Sequence, residues 1–406
     1  MKTRFYGDGV RRPLASGVAV ATLLSALVGL AACGGSSSDG SSTDDSDSSG
    51  DGTYSGSSTY TSGTSLVDLG SSNATAAAGS SIDAASNGAF SGMRGSNAAG
   101  FARDSSETSL SLVQAIMEVG KQALERETRA GNHLVGATSN ECPDGGSYSA
   151  TYNTGSDDTL NSSGETISIS FDSCESFSRP SEILDGTLKL TNENGDFSTA
   201  DSAILVEATE FLIHGYTPTE VGIDGTLRLK SGSHAGTFPT GHDPSNTTLS
   251  GTAVDFRITL GADGNSLDVV NNSHDTEFRM TNVTTYYADN SGGDGTLNAS
   301  DTWYWVVHGE NPRPEICTGR LDGCVTINHS ASTAFTFTTN NANQYDGYPN
   351  SGILRLDGNT GYVKINADNG EEQTVQVTGH DGTSGSSSKE DWTSISNEGL
   401  LLVNDG

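Results

Sequence analysis

From Ser147 to Val377 the chain places apolar residues at every second position, in short runs separated by clusters of Asn, Gly and Asp. Tyr148, Ala150 and Tyr152 alternate with polar residues, and Thr166-Ile167-Ser168-Ile169-Ser170-Phe171 does so strictly. The pattern returns at Leu188 and Leu190, Leu227 and Leu229, Phe256 to Leu260, Phe278 to Met280, Trp303 to Val307, Phe335 to Phe337, Tyr362 to Ile365 and Val375 to Val377. Successive side chains of a strand point to opposite faces, so such a chain makes antiparallel sheet with one dry and one wet side. The expected fold class is mainly β: a curved antiparallel sheet, a β-sandwich or a half-barrel. Ala203 to Ile213 is more continuously apolar and reads as a central strand.

One phrase recurs. Ile183-Leu184-Asp185-Gly186-Thr187-Leu188-Lys189-Leu190 returns as Ile223-Asp224-Gly225-Thr226-Leu227-Arg228-Leu229, with fainter echoes at Leu249-Ser250-Gly251-Thr252 and Leu356-Asp357-Gly358. Each copy reads as a Gly-containing bend feeding a strand. Their spacing is irregular, whereas solenoids and propellers require a fixed period. A duplicated hairpin within one sheet fits better, so the β-rich domain expected over 140–395 divides into related halves, 140–232 and 233–395.

The amino-terminal part has no such pattern. Lys2, Arg4, Arg11 and Arg12 precede an apolar run from Val18 to Leu30, which ends in Leu30-Ala31-Ala32-Cys33. A basic start, a short apolar middle and small residues at the end describe an export signal over 1–32. The run has about 15 residues, short of the roughly 20 that a spanning helix needs. Leu-Ala-Ala-Cys resembles the lipobox of bacterial lipoproteins. That resemblance implies cleavage between Ala32 and Cys33, diacylglycerol on the Cys33 sulfur and acylation of the new amino terminus, a multi-chain anchor that holds stably. In the lipoproteins that this motif resembles, Asp after the cysteine favours inner-membrane retention, so the resemblance implies the outer membrane for a chain with Gly34. Arg11-Arg12-Pro13-Leu14 loosely resembles a twin-arginine signal, so Sec and Tat export both stay open.

Residues 33–104 are expected as lipidated cysteine and tether, since 34–64 are Ser, Gly, Asp and Thr with little else and 65–104 hold few large apolar groups. An amphipathic helix is expected over 105–131. Leu110, Val113, Ile116, Met117 and Leu124 share helical spacing, Ser105 can cap the start, and Gly131 follows Arg126 and Arg129 at the end.

Charge and cysteine usage fit an exported body. The chain has 51 acidic and 20 basic residues, a formal charge of -31. The leader holds four basic residues and one acidic, Asp8, so a chain starting at Cys33 carries -34. Such a field disfavours nucleic acid and anionic lipid as partners. Beyond Cys33, an even number of cysteines remains for an oxidising compartment: Cys142, Cys174, Cys317 and Cys324. Three disulfide connectivities are possible, and sequence proximity favours Cys142 with Cys174 and Cys317 with Cys324. Zinc on the second pair, completed by His308 or His329, is the rival reading.

Cys142-Pro143-Asp144-Gly145-Gly146, Ile169-Ser170-Phe171-Asp172-Ser173-Cys174, Leu184-Asp185-Gly186-Thr187, Tyr348-Pro349-Asn350-Ser351-Gly352 and Trp392 together resemble a pattern of uncharacterised proteobacterial lipoproteins. The resemblance spans 140–395 on short motifs. It implies an address and a β-rich architecture and brings no activity with it.

Catalytic signatures are weak. The sequence has no HExxH and no nucleophile elbow set between strand and helix. Ser386-x-x-Lys389 matches one penicillin-binding signature but lies in a Gly/Ser stretch. No cofactor is expected. Calcium is a candidate ion, on Asp263, Asn265 and Asp268 or on Asp289, Asp294 and Asp301, although Asp and Asn also favour turns for backbone reasons. Trp303 and Trp305 share a strand face with Tyr286-Tyr287 nearby in sequence; exposed, they would stack on a glycan or anchor a protein, and buried, they would be core. The expectation is a non-enzymatic, membrane-tethered binding or structural module. A carrier of a hydrophobic ligand in a concave sheet is the alternative, and a secreted hydrolase a distant third.

Overall fold

The computed structural model describes residues 56–89, 135–142, 145–153, 161–175, 182–195, 202–216, 219–239, 253–254, 256–272, 276–289, 302–309, 314–338, 351–367, 374–392 and 395. Six strands open the sheet: β1 (Val135–Glu141), β2 (Ser147–Asn153), β3 (Thr166–Glu175), β4 (Ile183–Gly195), β5 (Ser202–Tyr216) and β6 (Thr219–Ser231). Each pairs antiparallel with the one before. The following rows each hold two strands end to end. β7 (Phe256–Leu260) pairs with the second half of β6 and β8 (Ser266–Asn271) with its first half. β9 (Thr276–Thr281) and β10 (Val283–Asp289) lie against β8 and β7. β11 (Thr302–Gly309) and β12 (Glu315–Thr318) lie against β10 and β9, and β13 (Gly323–Ile327) and β14 (Thr333–Thr338) against β12 and β11. β15 (Ser351–Asp357) gathers both, and β16 (Tyr362–Asn366), β17 (Thr374–His380) and β18 (Gly385–Asp391) complete the meander.

All 18 strands belong to one antiparallel sheet. It is not closed: among the described residues β1 pairs only with β2 and β18 only with β17. The expected halves are therefore joined without a break, through β6 and its two neighbours. β5 sits between β4 and β6, the central place its apolar run calls for.

Alternation decides which face is dry. Ile167, Ile169 and Phe171 of β3, Leu188 and Leu190 of β4, and Leu227 of β6 are buried, and so are Ile258, Leu260, Phe278, Met280, Phe335, Val363, Ile365, Val375 and Val377. All belong to one continuous core.

The recurring Asp-Gly-Thr phrase bends this sheet. Asp185 Oδ1 accepts a 2.7 Å hydrogen bond from the backbone N–H of Ser173, and Asp224 Oδ1 a 3.1 Å bond from that of Glu210. Both donors are left-handed, at φ 46°. Each lies where its strand slips register against the next. Gly186 (φ 91°) and Gly225 (φ 116°) follow, and a Cβ on either would collide with the neighbouring backbone, at Glu210 and Ser266 respectively. Each Asp thus holds the bulge of the strand before it, while its Gly admits the backbone of a strand after it. The fold line continues through Gly261 and Asp263 between β7 and β8 and through Asn282 between β9 and β10, all with positive φ. Leu356-Asp357-Gly358 instead ends β15 in a turn, and Leu249 to Thr252 lie outside the described residues.

Residues 56–89 depart from the tether expectation. Residues 57–71 form a strap along one rim of the sheet, described below, and helix α1 (Ala74–Ala89) follows. Ala77, Ala78, Ser81, Ile82, Ala84 and Ala85 are all fully buried, and Asp83 almost so. The helix touches β16 and β17 on one side and β7, β10 and β12 on the other, so it lies within the concavity. Trp392 and Ile395, beyond β18, are buried in the same core, with Trp392 edge-on to Phe335 at 6.2 Å. A helix made mostly of Ala and Ser fits because small side chains let backbone and strands approach closely. The amphipathic helix expected over 105–131 lies outside the described residues.

Candidate functional site

The strap crosses the turns at one end of the strands and is held almost wholly by its backbone. At its start, Ser57 exchanges two 2.9 Å hydrogen bonds with the Asn272 side chain, after β8. Tyr60 N–H donates to Asp268 Oδ2 at 3.1 Å. Thr61 and Ser62 N–H groups donate to the two oxygens of Glu277, at 2.8 and 2.7 Å, and both hydroxyls add bonds to the same carboxylate. Gly63 N–H donates to Asp322 Oδ1 at 2.8 Å. Further along, Cys324 N–H donates to Ser65 O and Val67 N–H to Cys324 O, then Asn359 N–H to Val67 O and Leu69 N–H to Thr360 O. Asp68 Oδ1 accepts from Asn359 Nδ2 and Thr360 Oγ1. Carboxylates accepting backbone N–H groups make strong, charge-assisted bonds.

The anchor of this rim is an ion pair. Asp268 is buried, and Arg279 of β9 donates to its two oxygens from Nε and Nη2, each at 2.7 Å. The guanidinium lies 5.2 Å from the centre of the Tyr60 ring, which is buried with Leu66 against Cys317 and Cys324. The Asp268 hydrogen bonds raise the Arg279 pKa. Burial, helped by Glu277, pushes the Tyr60 phenol well above its ordinary range. For Glu277 burial acts upward, but the bonds from Ser62 and Thr61 outweigh it and hold the carboxyl below its usual value. Asp68 is likewise lowered, by Thr360 and then Asn359.

A second cluster joins the fold line to the strap's entry. His214 of β5 is buried, with Nε2 3.3 Å from Asp185 Oδ2 and Nδ1 3.0 Å from Glu220 Oε2. The other oxygen of Glu220 lies against Gly56. The carboxylate that shapes the first bulge and the one beside the strap's first described residue thus share one imidazole. Nothing in the sequence paired His214 with either acid; only the register of β4, β5 and β6 does.

The expected site residues separate. Cys142–Cys174 and Cys317–Cys324 are both disulfides, the pairing that proximity favoured. The zinc reading for the second pair is thereby corrected, since its sulfurs bond each other. His308 and His329 lie together, rings 4.8 Å apart, without a thiolate. The first calcium group also comes apart: Asp263 is bound to Arg228, at 2.8 and 2.5 Å, while Asp268 is bound to Arg279. Asp289 ends β10, and Asp294 and Asp301 lie outside the described residues. Among the described residues no group of three His, Cys, Asp or Glu side chains is placed to hold a metal ion. Trp303 and Trp305 sit on β11 opposite Phe337 and Phe335 of β14; their side chains, like Cys33 and the cleavage site at Ala32, lie outside the described residues. Ser386 and Lys389 lie on exposed strand β18. No family model, curated protein or solved structure matches the chain.

Proposed function

We propose that this chain is an outer-membrane lipoprotein, anchored through acylated Cys33, whose β body serves as a non-enzymatic binding or structural module. One observation carries the non-enzymatic part of this reading: the charged clusters on the described rim hold chain to chain. Asp268 and Arg279 grip Tyr60, Glu277 grips Thr61 and Ser62, and His214 lies between Asp185 and Glu220. A carrier of a hydrophobic ligand would need the concavity that α1, Trp392 and Ile395 occupy, so carriage ranks below it.

The address rests on Leu30-Ala31-Ala32-Cys33 and on the Ser/Gly-rich stretch that follows. Partners are the membrane, through the lipid, and a protein or glycan of complementary surface. Palmitate labelling in cells tests the anchor. The wild-type chain takes up label and stays with membranes, and Cys33→Ala loses both; unchanged labelling and retention in the variant would overturn the reading.

A further inference from the structure

The anchoring residue and the described body are separated by only residues 34–55, and the body is entered at a definite place. Gly56 lies against Glu220 at the start of β6, and Ser57 on Asn272 after β8. Glu220 and Asn272 mark the same end of the sheet as the connections 319–322, 358–361 and 381–384, the end along which the whole strap runs. At the other end β6, β10 and β14 finish and β7, β11 and β15 begin. Composition makes 34–55 a Gly/Ser-rich coil, and the 23 steps from Cys33 to Gly56 then span about 26 Å on average. β6 alone has 13 residues, about 43 Å of strand. The average reach of the link is thus shorter than the run of β6, which biases the entered end toward the lipid.

We propose that the strap rim is the membrane-facing end of the protein, with a lipid surface as its occupant, and that the opposite end of the strands is held away from the bilayer. This rests on lipid attachment at Cys33. The rim presents carboxylates to the bilayer: Glu277, Asp322, Asp68 and Asp381 accept from strap and turn donors, and the last three are exposed, a charge that does not attract phosphate headgroups. It therefore faces the membrane without binding headgroups, and attachment is through the acyl chains alone.

Single cysteines test this on the full-length lipidated protein, because the four other mature-chain cysteines are in disulfides. Thr383→Cys places a donor fluorophore on the strap rim, in the β17–β18 turn, and Ser163→Cys places one at the opposite end, before β3; both positions are exposed. With phosphatidylcholine vesicles carrying a headgroup acceptor dye, energy transfer from position 383 should exceed that from position 163 about twofold or more, given the strand length between the two ends. Flotation with the vesicles but equal or reversed transfer overturns the orientation and leaves the anchor standing. Failure to float with the vesicles overturns the anchor, and the orientation with it.

Discussion

The strap and α1 differ from the sheet they pack on in how each is specified. Each strand carries its burial in its own sequence: a dry residue, a wet residue, repeated. Residues 57–71 carry almost none, because their contacts run from backbone N–H and C=O groups to turns more than two hundred residues away. The sheet can be written down from period alone; the strap exists only once the rim has brought Asn272, Glu277, Asp322, Cys324 and Thr360 into line. Local pattern thus builds the sheet, and the assembled sheet in turn orders a segment that has no pattern of its own.

The largest effect should come from the buried ion pair that serves both regions. Asp268→Ala strips Arg279 of its partner and Tyr60 N–H of its acceptor, and breaking such a pair costs about 3–5 kcal/mol. Urea unfolding would read the loss; a change under about 1 kcal/mol would mean that strap and sheet are not joined there. Within the sheet, Gly186→Val forces a β-branched residue to positive φ and onto the Glu210 backbone. About 3 kcal/mol is expected from strain of that kind, again in urea, with the first disulfide intact. For the interior, Ala78→Leu overpacks a fully buried position of α1 and should cost about 1–3 kcal/mol. A neutral result would show that α1 does not lie in the concavity.

The smallest effect should sharpen the comparison by touching the strap alone. Glu277→Gln keeps size and removes charge from four hydrogen bonds, at about 1–2 kcal/mol. Its pH dependence has a definite sign. The folded-state pKa of Glu277 is lowered, so its contribution is complete above the ordinary Glu value and is lost as pH falls through the lower folded value. Amide exchange at Thr61 and Ser62, corrected for intrinsic rates, should therefore quicken below about pH 4 in the wild type. In Glu277→Gln it should be fast already and insensitive to pH; equal acid sensitivity in both proteins would assign the effect to another group.

Much of the sheet was legible in the residues. Strict alternation at 166–171 and the Asp-Gly-Thr phrase announced strands and bends, and proximity announced both disulfides. The function of the phrase was hidden, because each Asp acts on a residue of the preceding strand and each Gly on one of the next. Helix α1 was not legible because its buried face is mostly Ala and Ser, with Ile82 its one large apolar residue. The usable signals were four alanines among residues 74–78, of high helix propensity, and Asn73 just before them, a residue type that favours helix starts. The rim and its clusters were illegible for a simpler reason: Asp185, His214 and Glu220 meet through strand register, which turn geometry and bulges set, not spacing along the chain.

Hydrogen–deuterium exchange read by mass spectrometry on the intact protein most directly tests the claim that residues 56–89 are part of the folded body. Peptides covering Val67, Leu69 and α1 should exchange as slowly as those from β5 and β6. If they exchanged within seconds while β5 and β6 stayed protected, the strap and helix would belong to the tether and not to the fold.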